Sequence, residues 1–219
     1  MRLTAQATSV LKAIVFVAAL VPVTRLAVAV AFYPEWLGAN PAEFITRSTG
    51  DWTLRFLLIT LAVTPLRKML GWHWLAGFRR MLGLYAFFYG LLHLSSYVSF
   101  DHVFDLAEIL KDIVKRPFIT VGFLSLVLML PLAITSTDRM VRRLGAKRWL
   151  ALHRVVYVIA PLGVLHFWWM VKADVTEPAI YAVIVACLLG YRVVAKVGES
   201  RRRTARGGRA PLPQPRPNA

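Results

Sequence analysis

Residues 81–100 read MLGLYAFFYGLLHLSSYVSF and residues 149–171 read WLALHRVVYVIAPLGVLHFWWMV. Each run is close to the ~20 residues that carry a helix across a ~30 Å hydrocarbon layer. Each also contains Gly-x-x-His, as Gly90-Leu91-Leu92-His93 and Gly163-Val164-Leu165-His166. An ionisable side chain inside a membrane span is expensive, so each histidine is a functional candidate by default. A glycine three residues before a histidine lies one turn away on the same helix face. That leaves room for a flat macrocycle to press against the backbone while imidazole reaches its metal. Gly83 extends the bare stripe of the first run. Counted from Asp101 and Lys172, the two imidazoles lie about 12 Å and about 9 Å deep at 1.5 Å per residue. At those depths they are placed to face each other across one haem. Two neutral imidazoles give a coordinatively saturated, low-spin iron, suited to electron transfer rather than oxygen activation.

The remaining sequence supports a membrane bundle. The chain has 219 residues, 58% hydrophobic and 17% charged, with a mean hydropathy of +0.57, which is too apolar for an ordinary soluble domain. Further apolar runs cover Val10 to Phe32, Phe118 to Thr135 and Pro178 to Val194. A shorter one, Trp52 to Leu66, reaches spanning length if its helix starts near Arg47 and Arg55 snorkels to the interface. The expected fold is therefore all-α: six transmembrane helices over residues 1–198, with haem between the third and fifth. The first span is too long for a signal-peptide core and is interrupted by Arg25. Residues 199–219, rich in Arg, Gly and Pro, read as a disordered basic cytoplasmic tail lying against anionic headgroups.

The net charge of +16 would suggest nucleic acid in a soluble protein. Here the cations sort by loop: Arg2 and Lys12; Arg67, Lys68, Arg79 and Arg80; Arg139, Arg142, Arg143, Lys147 and Arg148; then the tail. The intervening loops are acidic or mixed. This alternation fits six crossings with both termini cytoplasmic. The segment Val103 to Val114 has the spacing of an amphipathic helix lying in the outer interface, with Asp101, Asp105, Glu108 and Asp112 as an acidic face near the outer haem. The single cysteine, Cys187, excludes a disulfide framework, an iron–sulfur cluster or a thiolate zinc site.

Of the five histidines, His73 and His102 fall near interfaces. His153 lies only about 8 Å from the inner end of its span. It therefore belongs to the cytoplasmic half, where the third span offers no matching histidine.

The chain resembles the ferric reductase-like transmembrane proteins, and within them the haem-binding membrane subunits of the MsrPQ methionine sulfoxide reductase systems. The resemblance covers nearly the whole length. It rests on Asn40-Pro41-Ala42-Glu43, on Arg79-Arg80-Met81-Leu82-Gly83-Leu84 leading to His93-Leu94-Ser95-Ser96-Tyr97, and on Lys115-Arg116-Pro117-Phe118-Ile119-Thr120-Val121-Gly122. It continues through Arg142-Arg143-Leu144-Gly145, Trp149-Leu150-Ala151-Leu152-His153-Arg154 and His166. The resemblance implies a bacterial inner-membrane protein carrying haem b and FMN. Such a protein receives electrons from quinol or a cytosolic flavin reductase and delivers them to a periplasmic molybdopterin enzyme, MsrP, which reduces methionine sulfoxide in oxidised proteins. The chain would be the conduit, with the sulfoxide chemistry on the partner. The family's haem-ligating histidines match His93, His153 and His166.

No Gly-rich phosphate cradle of dinucleotide type is present, so an FMN phosphate falls to arginines of the inner rim. Arg79, Arg80, Arg142, Arg143 and Arg148 are the candidates. Two alternatives stand beside this reading. One is a ferric-chelate or oxygen-reducing transmembrane haem reductase, which would need a separate dehydrogenase polypeptide. The other is a transporter handling ions at Arg25 and the intramembrane histidines, against which the repeated Gly-x-x-His argues.

Overall fold

A computed structural model of the chain describes residues 4–207, with side chains as far as Arg201. The helices are α1 (Ala5–Phe32), α2 (Pro41–Leu70), α3 (Arg79–Ser96), α4 (Leu106–Lys115), α5 (Pro117–Ile134), α6 (Asp138–Leu144), α7 (Ala146–His153), α8 (Val156–Met170) and α9 (Thr176–Gly207). A π-helical turn, Tyr97–Asp101, continues α3. No strand occurs among the described residues.

Five stretches are long and apolar enough to cross a membrane: Ala5–Phe32, His73–Asp101, Pro117–Ile134, Ala146–Met170 and Thr176–Arg201. The thirty-residue α2 is long enough, at about 45 Å, but carries Asp51 and Arg55 and is less apolar. Its place in the bundle explains why. Leu54, Phe56, Leu57, Leu58, Leu61 and Val63 are all buried, and α2 packs along α3 and also meets α8 and α9. A helix walled in by other helices does not need to satisfy lipid on every face. By contrast α1 buries only Ala19 and Ala29.

Local chemistry sets the ends of α2. Asn40 accepts from the Glu43 N–H at 3.2 Å and donates to its carboxylate at 3.2 Å, a reciprocal cap with Pro41 in the first turn. Gly71, at φ +69°, closes the helix in the left-handed conformation that follows Arg67 and Lys68. Arg55 does not simply reach outward. It donates to the Tyr181 hydroxyl at 3.0 Å, lies 3.7 Å from Asp51 and stands over the Trp52 ring at 5.1 Å.

The peripheral α1 is attached through α3. The Tyr89 hydroxyl donates to the Ala19 carbonyl at 2.8 Å and accepts from the Val23 N–H at 3.2 Å. An α-helix would bond that carbonyl and N–H to each other directly. Pro22 lies within this turn; it has no N–H to donate, and the Tyr89 hydroxyl serves the backbone groups on either side of it.

Two features differ from the sequence expectation. The fifth span is interrupted: α7 ends at His153 and α8 begins at Val156, joined by a tighter turn in which the Arg154 and Val155 N–H groups donate to the Ala151 and Leu152 carbonyls, while Pro161 lies within α8. The last helix runs past Glu199 to Gly207; residues 208–219 of the expected tail lie outside the described residues.

Between α3 and α5, α4 forms the amphipathic segment, with Ile109 buried and Leu106, Leu110 and Val114 exposed. Asp112 is not a free member of its acidic face. It accepts from the Tyr97 hydroxyl at 3.0 Å, lies 3.1 Å from His102 Nε2 and pairs with Arg116 at 2.9 Å. Asp105 caps α4 by accepting from the Ala107 and Glu108 N–H groups. This cluster brackets the turn at Val103 and Phe104, which take left-handed φ values of 46° and 64°. Such a conformation in bulky residues costs about 1–3 kcal/mol each and persists only where the surroundings hold it.

Candidate functional site: two cavities between the helices

The helices enclose two cavities, one toward each end of the bundle. The first, about 360 Å³, is lined by His93 of α3 and His166 of α8, with Gly90 and Gly163 in its wall. The second, about 440 Å³, lies toward the basic end and is lined by His153, Trp149, Arg79, Arg80, Arg154 and Arg192, among others. Leu57, Met129 and Ile159 line both. An apolar partition, one residue thick, therefore separates them.

In the first cavity the imidazoles of His93 and His166 have ring centres 6.0 Å apart, with planes inclined at 77°. Nδ1 of His93 bonds the Thr46 carbonyl at 2.8 Å, and Nδ1 of His166 bonds the Phe118 carbonyl at 2.6 Å. A carbonyl only accepts, so each Nδ1 carries the proton and each Nε2 keeps its lone pair. Neither Nε2 has a hydrogen-bond partner among the described residues. With a metal–nitrogen bond of about 2 Å and about 1 Å from nitrogen to ring centre, two imidazoles sharing one metal stand about 6 Å apart. The observed spacing meets that requirement.

The donor set also selects the kind of metal. Among the described residues no group of three or more His, Cys, Asp or Glu could hold an ion. A pair of imidazoles is sufficient where a macrocycle supplies the equatorial ligands, so the site fits a haem. Its charged lining residues are Arg47, Asp51, Asp101 and Arg116, and most of the remaining wall is apolar.

The structure brings His93 and His166 together and places His153 in the other cavity. The His153 ring stacks on Trp149 at 3.9 Å, and its Nδ1 bonds the Trp149 carbonyl at 3.1 Å. Trp149 is fixed in turn by donating to the Thr135 carbonyl at 2.8 Å. Nε2 of His153 is buried with no hydrogen-bond partner among the described residues, a polar atom that a ligand or a water would satisfy.

Of the arginines read from the sequence, Arg79 and Arg80 line this cavity, whereas Arg142 and Arg143 on α6 and Arg148 on α7 lie outside its lining. Arg154 and Arg192 also line it and are not among the sequence candidates. Arg192 could have been found, because a charged residue inside the run Pro178 to Val194 is unusual enough to be a candidate. Its guanidinium donates to the carbonyls of Leu188 and Leu61, stands 5.3 Å from the Tyr157 ring centre and leaves Nε buried without a partner. Arg80 pairs with Asp138. That neighbour holds the Asp138 carboxyl below the usual carboxylate range.

Residues 49–164 match the family model described as the ferric reductase like transmembrane component. The match contains His93 and His153 and stops just short of His166. Similar proteins include the protein-methionine-sulfoxide reductase heme-binding subunit MsrQ of Herminiimonas arsenicoxydans, 59% identical over 187 residues, which cover 84% of this chain and 85% of that one. The subunit of the same name from Ralstonia nicotianae is 54% identical over 200 residues, with 90% and 91% covered. That from Rhodospirillum rubrum is 54% identical over 197 residues, again with 90% and 91% covered.

Proposed function

The chain belongs to the ferric reductase-like transmembrane family, among the MsrQ subunits, and from that premise we propose that it conducts electrons across the bacterial inner membrane. Electrons enter at the cytoplasmic face from the quinone pool or a cytosolic flavin reductase. They pass through FMN and haem b to a periplasmic molybdopterin methionine sulfoxide reductase, MsrP, in the repair of oxidised periplasmic proteins. In this reading α2 is the sixth crossing and both termini are cytoplasmic, which the sorting of Arg and Lys by loop supports.

The observation that carries the reading is the imidazole pair, 6.0 Å between ring centres, with both Nδ1 protons held by backbone carbonyls. When bound, haem and FMN supply the one-electron and two-electron couples. The protein's own part is positional. Thr46 and Phe118 fix the tautomers that aim both lone pairs at one metal, and the fixed ring orientation avoids reorganisation between redox states. Leu57, Met129 and Ile159 exclude water between the cavities while keeping the partition thin. Arg79, Arg80, Arg154 and Arg192 give the inner cavity the charge to hold a phosphate, with His153 on its wall.

The test is the reduced-minus-oxidised spectrum and haem-to-protein ratio of the purified chain, alone and as single His→Ala variants. A low-spin b-type spectrum lost on substitution of His93 or His166 is the expected outcome. A purified chain with no haem bands would exclude the reading.

A further inference from the structure

The two imidazoles are seated in the same way on two different helices. His93 donates to the Thr46 carbonyl of α2, and four residues later α2 carries Gly50. His166 donates to the Phe118 carbonyl of α5, and four residues later α5 carries Gly122. In each helix the residue at that spacing lies one turn above the accepting carbonyl on the same face, and its Cβ would tilt back toward the N-terminus, over that carbonyl. A Cβ at position 122 would lie 2.6 Å from His166 Nδ1, 2.7 Å from Cε1 and 3.0 Å from Cγ. A Cβ at position 50 would lie 3.1 Å from both Nδ1 and Cε1 of His93. The first distance is one that real Cβ atoms essentially never show, and the obstacle is the ring itself rather than a flexible end.

We propose that Gly50 and Gly122 are the positioning residues of the imidazole pair: each uncovers a helix carbonyl so that the facing histidine can donate Nδ1–H to it and present Nε2 to the metal. Gly90 and Gly163, one turn from the histidines on their own helices, have a different surrounding. A Cβ there would meet Leu126 at 3.0 Å and Leu54 at 3.6 Å, not an imidazole. The glycines that bear on the rings belong to the neighbouring helices.

The Nδ1 hydrogen bond has a chemical consequence. Donation to a carbonyl makes the imidazole more electron-rich and a stronger donor to the oxidised metal, which lowers the reduction potential. A side chain at 50 or 122 forces the ring off the carbonyl, weakens that donation and raises the potential. The effect is larger at 122, where the approach is closer. This rests on the haem reading above.

The experiment uses the full chain purified with its haem, as wild type, Gly50→Ala, Gly122→Ala and the control Gly190→Ala, where an added Cβ meets nothing within 4 Å. Redox titration and low-temperature EPR are recorded on each. The expected result is a raised midpoint potential and an altered low-spin signal for Gly50→Ala. Gly122→Ala shows a larger change, extending to partial loss of the low-spin form, and Gly190→Ala matches wild type. Wild-type potential and EPR spectra in both cavity variants, at full haem content, overturn the proposal. Should Gly122→Ala fail to insert, Gly50→Ala decides alone: a raised midpoint potential with an altered low-spin signal supports the proposal, and wild-type potential and EPR at full haem content overturn it. A wild-type chain without haem instead removes the reading on which the proposal rests, so the two failures are distinct.

Discussion

The two cavities are close in volume, about 360 and about 440 Å³, and share a three-residue wall, yet they are built on opposite principles. The first is organised by backbone groups: two imidazoles held by the Thr46 and Phe118 carbonyls and seated against Gly50 and Gly122, with two acids and two arginines balancing in its lining. The inner one is defined by charge on long side chains, Arg79, Arg80, Arg154 and Arg192, around one imidazole. Backbone acceptors on packed helices fix an atom within tenths of an ångström, as an axial metal bond requires. Guanidinium groups give anion affinity with more tolerance of position. The contrast suggests a rigid outer centre and a more adaptable inner one.

The strongest way to break the comparison is at the axial ligands. His93→Ala or His166→Ala is expected to lower haem retention by roughly a hundredfold or more, since even partners one step removed from a metal contribute ten- to hundredfold. His153→Ala should leave the low-spin spectrum in place and slow reduction from the cytoplasmic side. Optical spectra and haem content of the three variants decide, and unchanged spectra in both outer variants would sink the ligand assignment.

A smaller effect is expected at the inner cavity. Replacing both Arg79 and Arg80, or both Arg154 and Arg192, by glutamine should weaken flavin binding by roughly tenfold to hundredfold, about 1.5–3 kcal/mol in all, as for the loss of one charged hydrogen bond to the phosphate, with the haem content unchanged. Replacing Arg142 with Arg143, outside the lining, should do less. Equilibrium flavin titration measures both. If the chain binds no flavin, or binding survives every pair while quinol reduces the haem normally, quinol is the inner carrier.

Smaller again is the effect of charge on the outer rim. Glu108→Lys, on the exposed face of α4 and outside the cavity lining, should slow reduction of the reductase partner a few-fold at low salt and little at high salt, without altering the haem spectrum. Asp112 and Asp105 are poor choices for this test, because one is the hub joining Tyr97, His102 and Arg116 and the other caps α4. Stopped-flow rates against ionic strength provide the measurement. A rate and salt dependence equal to wild type would place docking elsewhere.

The smallest change is expected at Asp138. Arg80 holds its carboxyl below the ordinary range. The pair's contribution is thus complete above the ordinary carboxylate value near pH ~4 and is lost only as pH falls through the depressed folded value. Flavin affinity should therefore show no inflection from this carboxyl between pH 5 and 8. Asp138→Asn, by freeing Arg80, should raise affinity by no more than a few-fold and uniformly across that window. An inflection near neutrality that disappears in Asp138→Asn would contradict this assignment.

The sequence by itself determined that the fold is a helical membrane bundle, and it picked out the two histidines whose rings come to face each other. Runs of apolar residues near spanning length, loop charges that alternate in sign, and two Gly-x-x-His segments at matching depth are local or additive signals, legible without knowing what packs against what. The separate depth of His153, and the nearness of Arg79 and Arg80 to that end of the bundle, were legible in the same way. Tertiary structure decided the rest. That α2 is the walled-in helix, and so tolerates Asp51 and Arg55, depends on which neighbours cover it. That the fifth span is interrupted at Arg154 and Val155 depends on packing at both ends. The recruitment of Arg154 and Arg192 is likewise a matter of which helices close the inner cavity. The seats of the two imidazoles were the least legible. A glycine uncovers a carbonyl for a histidine 43 or 44 residues distant in sequence only when two helices lie at one relative height and rotation, and hydrophobic periodicity along a single helix carries no record of that height.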